Sequence, residues 1–169
     1  MDLTELIKRH KAGESFKYIP FWGGEMSQWH KDGFSIRGEY YETAEHYMMA
    51  EKARLFNDLT SLDLIMSTKD PSTAKKIGRK VKGFNDEEWD KVKYPVVVLA
   101  NICKFLQNPE LGDFLRDTGD AVLVEASPYD TVWGIGMPET DADCLDPTLW
   151  KGENLLGFAI MDARSILFP

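Results

Sequence analysis

The sequence predicts a helix-rich α+β fold, a single domain with one small β-sheet. Helical patterns and helix-start signals recur along most of the 169 residues. Segments with the alternation typical of strands are few and short, and they do not alternate with helices as they would in a parallel α/β sheet. A chain of this length corresponds to one domain and buries roughly two-thirds of its unfolded surface.

The helices are predicted from their periodicity and their caps. The first covers 2–12 and ends at Gly13, so that 1–15 forms a peripheral addition to a main domain of 16–169. Proline at position 95 is expected to kink or restart the longest helix. The further helices are 44–57 after the cap Thr43, 58–66, one from Asp70-Pro71 to about Val81, one from Asp86 after the cap Asn85, one from Asn108-Pro109 to Gly119, and 155–167 after the cap Asn154.

Few segments are predicted as strands. The aromatic and glycine-rich stretch from 18 begins as a loop and continues as a hairpin around Gly38, with strands at Phe34–Ile36 and Tyr40–Tyr41. The stretch Ala121–Ala126 alternates in polarity and is predicted as another strand. It is followed by a long loop, 127–150, and an irregular segment of that length in a compact domain indicates a functional role.

Composition excludes several classes of protein. The net charge of −8 argues against holding duplex nucleic acid by bulk electrostatics, although free nucleotides or single strands remain compatible with it. No apolar run has the length that a membrane-spanning helix needs. The two cysteines, Cys103 and Cys144, form no CxxC pair, and the first residues carry no secretory signal pattern. We therefore expect a cytoplasmic protein.

The first candidate site lies on the helix predicted at 44–57. Glu45 and Lys52 are two turns apart on one face, roughly 10 Å along the axis, so their side chains can lean toward one ligand. A lysine in apolar surroundings loses basicity and becomes a usable nucleophile, and a nearby carboxylate can act as general acid or base. Spacing alone is more typical of an amphipathic helix that has both residues at its solvent boundary.

A second candidate site follows the strand predicted at 121–126. Polar residues emerge there into a glycine-rich turn, where a ligand can approach the backbone N–H groups of Gly134 and stack on Trp133. The alternative is a tight turn with Trp133 packed in the core. The candidate residues of this stretch are Glu125, Ser127, Asp130, Trp133 and Gly134.

A basic stretch supplies a third candidate. Arg79 follows Gly78 and could hold a phosphate through two hydrogen bonds, although such stretches are more often solvated helix faces. Histidines and cysteines at metal-ligand spacing are missing, and the acidic residues do not follow the EF-hand pattern. We therefore predict neither a metal site nor a cofactor.

Several fragments of the chain occur in an order that resembles the NADAR (YbiA-like) family. Any one of them is short, but together they span residue 16 to the C-terminus. They are Phe21-Trp22-Gly23-Gly24, Ser27-Gln28-Trp29, Thr43 to Ala53, Lys76-Ile77-Gly78-Arg79, Phe84, Trp89, Lys104 to Asn108, Thr118-Gly119, Glu125 to Asp130, Trp133 to Gly136, and Trp150 to Gly157.

The resemblance implies a YbiA-like fold and an N-glycosidase that hydrolyses the bond between a ribose anomeric carbon and an exocyclic amine of a base. The first substrate expectation is guanine carrying ADP-ribose, either as a nucleotide or within nucleic acid. The alternative is a phosphoribosylamino-pyrimidine intermediate of riboflavin synthesis. A second alternative is a module that binds ADP-ribose without cleaving it, and a third is an interaction domain that uses the aromatic surface near Trp22 and Trp29.

The resemblance also implies roles for individual residues. Lys52 is expected to attack the anomeric carbon and form a Schiff base, with Glu45 moving protons, or else Glu45 activates water directly. Asp130 is expected to bind ribose hydroxyls or to hold Lys52 charged. Trp89 and Trp133 are expected to stack on the base, and Arg79 to bind phosphate.

Overall fold

The computed structural model describes all 169 residues. Its helices and strands follow one another in the order α1 (Leu3–Lys11), β1 (Tyr18–Phe21), β2 (Phe34–Ile36), β3 (Glu39–Tyr41), α2 (Ala44–Leu55), α3 (Leu59–Ser67), α4 (Pro71–Gly78), α5 (Asp86–Gln107), α6 (Pro109–Asp117), β4 (Val122–Glu125) and α7 (Leu155–Leu167). The helix-rich α+β prediction is confirmed. None of these helices combines the length and apolar character needed to cross a bilayer.

The chain divides into two compact units. Unit 1 comprises Met1–Ser27 and Asp113–Pro169, and unit 2 comprises Gln28–Gly112. The excess of acidic over basic side chains falls entirely in unit 1, whereas acidic and basic side chains are equal in number in unit 2. The negative charge of the protein is therefore a local property of unit 1.

The framework of unit 1 is a parallel pair of strands covered by α7. β1 pairs with β4, with Tyr18 opposite Val122 and Phe21 opposite Glu125. The residues of β4 from Val122 to Val124 are fully buried, and α7 packs against this strand. Gly157 permits the close approach, because a β-carbon there would collide with the carbonyl oxygen of Leu123.

Unit 2 is built around α2. This helix packs against α3, α4 and α5, so nearly every side chain from Ala44 to Ala53 is buried, whatever its polarity. A helix surrounded on all sides does not need a polar face. α4 lies close to it at Gly78, where a β-carbon would overlap the sulfur of Met49. The antiparallel hairpin of β2 and β3 contributes Phe34 and Tyr41 to the same core.

Four details differ from the sequence predictions. The loop expected at 18–21 is strand β1, and the single sheet is two separate two-stranded sheets. Of the kink or restart predicted at Pro95, the restart does not occur, because α5 is continuous through this residue. Pro95 is exposed, so water can reach the carbonyl group that the missing N–H leaves free. The predicted cap of α7 is wrong, because the side chain of Asn154 bonds to β4 instead of to the helix N-terminus.

Candidate active site

The start of α2 is held by a buried cluster of polar side chains. The hydroxyl of Thr43 accepts a hydrogen bond from the backbone N–H of His46 and lies 2.8 Å from His46 Nδ1. The other ring nitrogen, Nε2, lies 3.1 Å from the carbonyl oxygen of Thr68 and must donate to it. Burial lowers the pKa of His46, which agrees with a neutral ring carrying its hydrogen on Nε2. The first turn of α2 is thereby fixed to the linker between α3 and α4.

This first turn carries Glu45. Its side chain is 5% exposed, although carboxylates are rarely buried to this extent. Its backbone N–H donates to the carbonyl oxygen of Gln28 at 2.9 Å, so one of the four amides left free at a helix start finds a partner. An acidic group in this position is also favoured by the positive end of the helix dipole.

Two turns further along α2, the amine of Lys52 lies against aromatic rings. Its Nζ atom is 4.0 Å from the centroid of the Phe84 ring and 5.9 Å from that of Trp89. Burial is the largest influence on this amine and lowers the pKa of Lys52 below its ordinary value. Such a lysine has a larger fraction of neutral, nucleophilic amine near pH 7 than an exposed one.

Three charged residues also act on the same amine, one cationic and two acidic. Arg79 adds to the lowering of the Lys52 pKa, whereas Asp86 and Glu45 counteract it. Arg79 is the C-cap residue of α4, and Asp86 is the first residue of α5. The segment that links these two helices therefore brings a cation, an aromatic ring and a carboxylate to Lys52.

The linking segment is anchored on Asp58. The Asp58 carboxylate accepts hydrogen bonds from the backbone N–H groups of Ser61 and Lys82, at 3.1 and 2.9 Å. These bonds lower the pKa of Asp58, the Lys82 contact contributing most. Phe84 then packs edge-on against Phe56, with ring centroids 5.4 Å apart. A cap of α3 thus also fixes the ring that covers Lys52.

In unit 1, Asp130 shapes the loop that follows β4. Its Oδ1 atom accepts hydrogen bonds from the backbone N–H groups of Val132 and Trp133 at 2.9 and 2.8 Å, and Oδ2 accepts none from the protein. The hydroxyl of Ser127 accepts a weaker bond from the N–H of Tyr129. Asp130 and Ser127 therefore both have local structural roles, and one carboxylate oxygen of Asp130 stays available.

The remaining predicted residues of this loop pack against the end of β4. Gly134 lies so close to Glu125, Ser127 and Asp130 that a β-carbon would come within about 3 Å of all three. The backbone of Glu125 is bonded on both sides, its N–H to Asn154 and its carbonyl oxygen to the N–H of Ile135. Trp133 is half-buried, so its ring is neither packed wholly in the core nor fully open for stacking.

The structure sorts the predicted site residues into two sets. Glu45, Lys52, Arg79 and Trp89 are brought together in unit 2, and Glu125, Ser127, Asp130, Trp133 and Gly134 in unit 1. Sequence reasoning missed Phe84 and Asp86 as neighbours of Lys52. The sequence feature that could have indicated them is the helix cap Asn85, which lies between them. Residues on either side of a helix cap have a fixed orientation relative to the helix.

Comparison with known proteins identifies relatives along nearly the whole chain. The NADAR domain family matches residues 20–168. N-glycosidase R617 of Acanthamoeba polyphaga mimivirus is 40% identical, covering 89% of this chain and 96% of its own. The riboflavin biosynthesis protein PYRR of maize chloroplasts is 34% identical over 76% of this chain, which corresponds to 20% of that longer protein.

A solved structure has the same fold. The NMR structure of the Escherichia coli protein YbiA superposes with a TM-score of 0.74 at 29% identity, covering 91% of this chain and 86% of that one. YbiA is itself an N-glycosidase, and this chain is 31% identical to it over 144 residues. The family match, the similar sequences and the shared fold agree, and this chain belongs to the NADAR family of N-glycosidases.

Proposed function

We propose that this protein hydrolyses the bond between a ribose anomeric carbon and the exocyclic amine of a guanine base, removing ADP-ribose from the base. The observation that carries the proposal is the Lys52 amine, which is covered by Phe84 and has a lowered pKa. A buried carboxyl group, Glu45, lies on the same helix. This combination supplies a nucleophile and a proton carrier, which a protein that only binds ADP-ribose does not need.

The reaction uses the chemistry of a ribosylamine. A proton moves from the exocyclic nitrogen to the ring oxygen and the carbon–oxygen bond breaks, which opens the sugar and turns the anomeric carbon into an imine to the base nitrogen. The neutral amine of Lys52 adds to that carbon, the carbon–nitrogen π bond to the base breaks, and one proton of the amine passes to the base nitrogen, so that the carbon is joined to both nitrogens by single bonds. Glu45 gives a proton to the base nitrogen, whose bond to carbon then breaks, leaving a Schiff base between Lys52 and the sugar.

Water completes the cycle. Glu45, now a carboxylate, removes a proton from the water that adds to the Schiff-base carbon, and collapse of the adduct releases the aldehyde sugar and restores the Lys52 amine. In the competing mechanism, Glu45 activates water for direct attack on an oxocarbenium-like sugar and no covalent intermediate forms. The two mechanisms differ in whether Lys52 becomes covalently linked to the sugar.

The other candidate residues have supporting roles in this proposal. The free Oδ2 atom of Asp130 is suited to ribose hydroxyls, and Ser127, Glu125 and the backbone of Gly134 line the same loop. The expected stacking role of Trp89 is not supported, because its ring is only 6% exposed and packs near Lys52. The half-buried ring of Trp133 can contact a base with part of its surface, and the exposed guanidinium of Arg79 is suited to a phosphate.

Borohydride trapping distinguishes the two mechanisms. Reduction during turnover should link the sugar to Lys52 through a stable secondary amine, found by mass spectrometry of the peptide that contains it. Lys52→Ala should form no adduct and lose at least about a thousandfold in kcat, as expected when a nucleophile is removed. Turnover with no adduct would favour water activated by Glu45, and undiminished turnover by Lys52→Ala would overturn both the nucleophile and the Schiff base.

A second candidate substrate follows from the similarity to maize PYRR, named as a riboflavin biosynthesis protein. In that case the substrate is a phosphoribosylamino-pyrimidine, which has the same bond to an exocyclic amine. Guanosine carrying ADP-ribose and the pyrimidine intermediate should be incubated separately with the protein, and the free bases measured by chromatography. Release of guanosine supports the first candidate and release of the pyrimidine the second. Binding of ADP-ribose with neither reaction would indicate a binding module.

A further inference from the structure

Two large aromatic side chains of unit 1 are exposed side by side. Trp22 is 60% exposed and Tyr129 is 86% exposed, and their ring centroids are 6.3 Å apart with an angle of 59° between the ring planes. Aromatic side chains of this size normally bury most of their surface. Two of them in contact and open to solvent form a surface that is suited to a flat, apolar ligand.

The strand register explains why these two rings meet. Phe21 and Glu125 are the last paired residues of the parallel strands β1 and β4. Trp22 directly follows Phe21, and Tyr129 lies four residues after Glu125, so both rings project from the carboxyl ends of neighbouring parallel strands. Ligands of parallel sheets bind at this end, where the loops are free to vary.

The chain turns sharply directly after Trp22. Gly23 and Gly24 follow it with φ angles of +102° and +64°, a conformation that turns the chain sharply and that residues with a β-carbon rarely adopt. Nothing lies within 4 Å of the position that a β-carbon would occupy at either glycine. The backbone after Trp22 is therefore open to solvent, and more than half of the Trp22 side chain is accessible to a ligand.

The charge of unit 1 limits what the ligand can be. Acidic side chains exceed basic ones in this unit, which opposes a polyanion such as a nucleic acid strand. A nucleobase is flat and uncharged and stacks on aromatic side chains irrespective of local charge. Within the proposed substrate, the only nucleobase besides the one released is the adenine of ADP-ribose.

We infer that Trp22 and Tyr129 bind the adenine base of the ADP-ribose group. The inference rests on the proposed function, since a phosphoribosylamino-pyrimidine carries no second base. It makes the aromatic pair a specificity determinant that selects an ADP-ribosyl group over a phosphoribosyl group. The pair takes no part in bond breaking, so its removal should affect binding and leave the chemical step unchanged.

The kinetic test compares two substrates that differ only in the adenylate group, namely guanosine carrying ADP-ribose and guanosine carrying ribose 5-phosphate on its exocyclic amine. Trp22→Ala and Tyr129→Ala should each raise KM about tenfold for the first substrate, the loss expected for one stacking contact, and leave its kcat and the KM of the second unchanged. Trp22→Phe should retain most of the affinity, because it keeps an aromatic ring. Phe114→Ala, which removes another exposed ring of unit 1, is the matched control and should behave as wild type.

Binding of AMP tests the inference without turnover. Wild-type protein and Phe114→Ala should bind AMP alike in equilibrium dialysis, and Trp22→Ala and Tyr129→Ala should bind it about tenfold more weakly. Weaker AMP binding by the two variants, together with no cleavage of either substrate by the wild type, would support the adenine site and disprove the proposed reaction. Equal AMP binding by all variants would overturn the inference even if guanosine is released. If the wild-type protein is a dimer and Trp22→Ala is a monomer that binds AMP as the wild type does, the aromatic pair forms a subunit contact and the inference is wrong.

Discussion

The Nζ atom of Lys52 lies 4.0 Å from the centre of the Phe84 ring. The ring has two opposing effects on the amine: its π-electrons favour the ammonium form, and its bulk excludes the water that would solvate that form. Burial is the larger influence, since the pKa of Lys52 is lowered overall. Phe84 is therefore expected to contribute to reactivity although it has no reactive group.

Replacing Phe84 with alanine tests this role. Water should reach the amine, the pKa of Lys52 should return toward its ordinary value, and kcat at pH 7 should fall about tenfold for each pH unit of that shift. The measurement is kcat as a function of pH, with Phe84→Leu as a control that keeps an apolar cover. An equal loss of kcat at every pH would mean that Phe84 acts by positioning the substrate.

Asp86 and Arg79 should move the pH profile in opposite directions. Asp86 raises the pKa of Lys52 and Arg79 lowers it. Asp86→Asn should therefore shift the acid limb of the kcat profile to lower pH, and Arg79→Gln should shift it to higher pH, and both shifts should be small because both residues are exposed. Both shifts should shrink in about 1 M salt. Shifts of the same sign would disprove the electrostatic assignment.

His46 should make the stability of the fold depend on pH. Because burial lowers the pKa of His46 in the folded state, the unfolded chain takes up a proton at higher pH than the folded protein does. The unfolded state is thus favoured increasingly as the pH falls below the ordinary value of 6.5, and the contribution to stability is fully present above it. Protonation would also remove the acceptor at Nδ1 that faces Thr43.

Urea unfolding between about pH 5 and pH 8 measures this effect. The wild-type free energy of unfolding should fall on the acid side of that range, and His46→Gln should be less stable at pH 8 but lose less on acidification. Because the pKa of Asp58 is lowered from its ordinary value of 3.8, this group changes the free energy of unfolding only at more acidic pH than that range. An identical pH dependence in wild type and His46→Gln would rule out the assignment to His46.

The sequence predicted those elements whose signals are local. The cap Thr43, the Asp70-Pro71 start and the spacing of Glu45 and Lys52 each lie within a few residues of the element that they define, and the structure has them as expected. Helix caps and helical periodicity depend on contacts over one or two turns, so a short stretch of sequence contains the whole signal.

The features that were missed depend on distant residues. β1 is four residues long and contains a proline, and it becomes a strand only by pairing with β4, about a hundred residues later. Phe84 acquires its position over Lys52 through Asp58 and Phe56, which belong to another part of the chain. No local pattern encodes such pairings, since tertiary contacts override intrinsic propensity.

Asn154 protects one edge of β4 against aggregation. Its side-chain amide accepts from the N–H of Glu125 and donates to the carbonyl oxygen of Leu123, both at 2.9 Å, along the edge of β4 that faces away from β1. The N–H of Leu123 faces the sulfur of Met161, and the carbonyl oxygen of Glu125 accepts from Ile135. One asparagine thus takes the place of a third strand, and this edge has no free backbone group with which another chain could begin to aggregate.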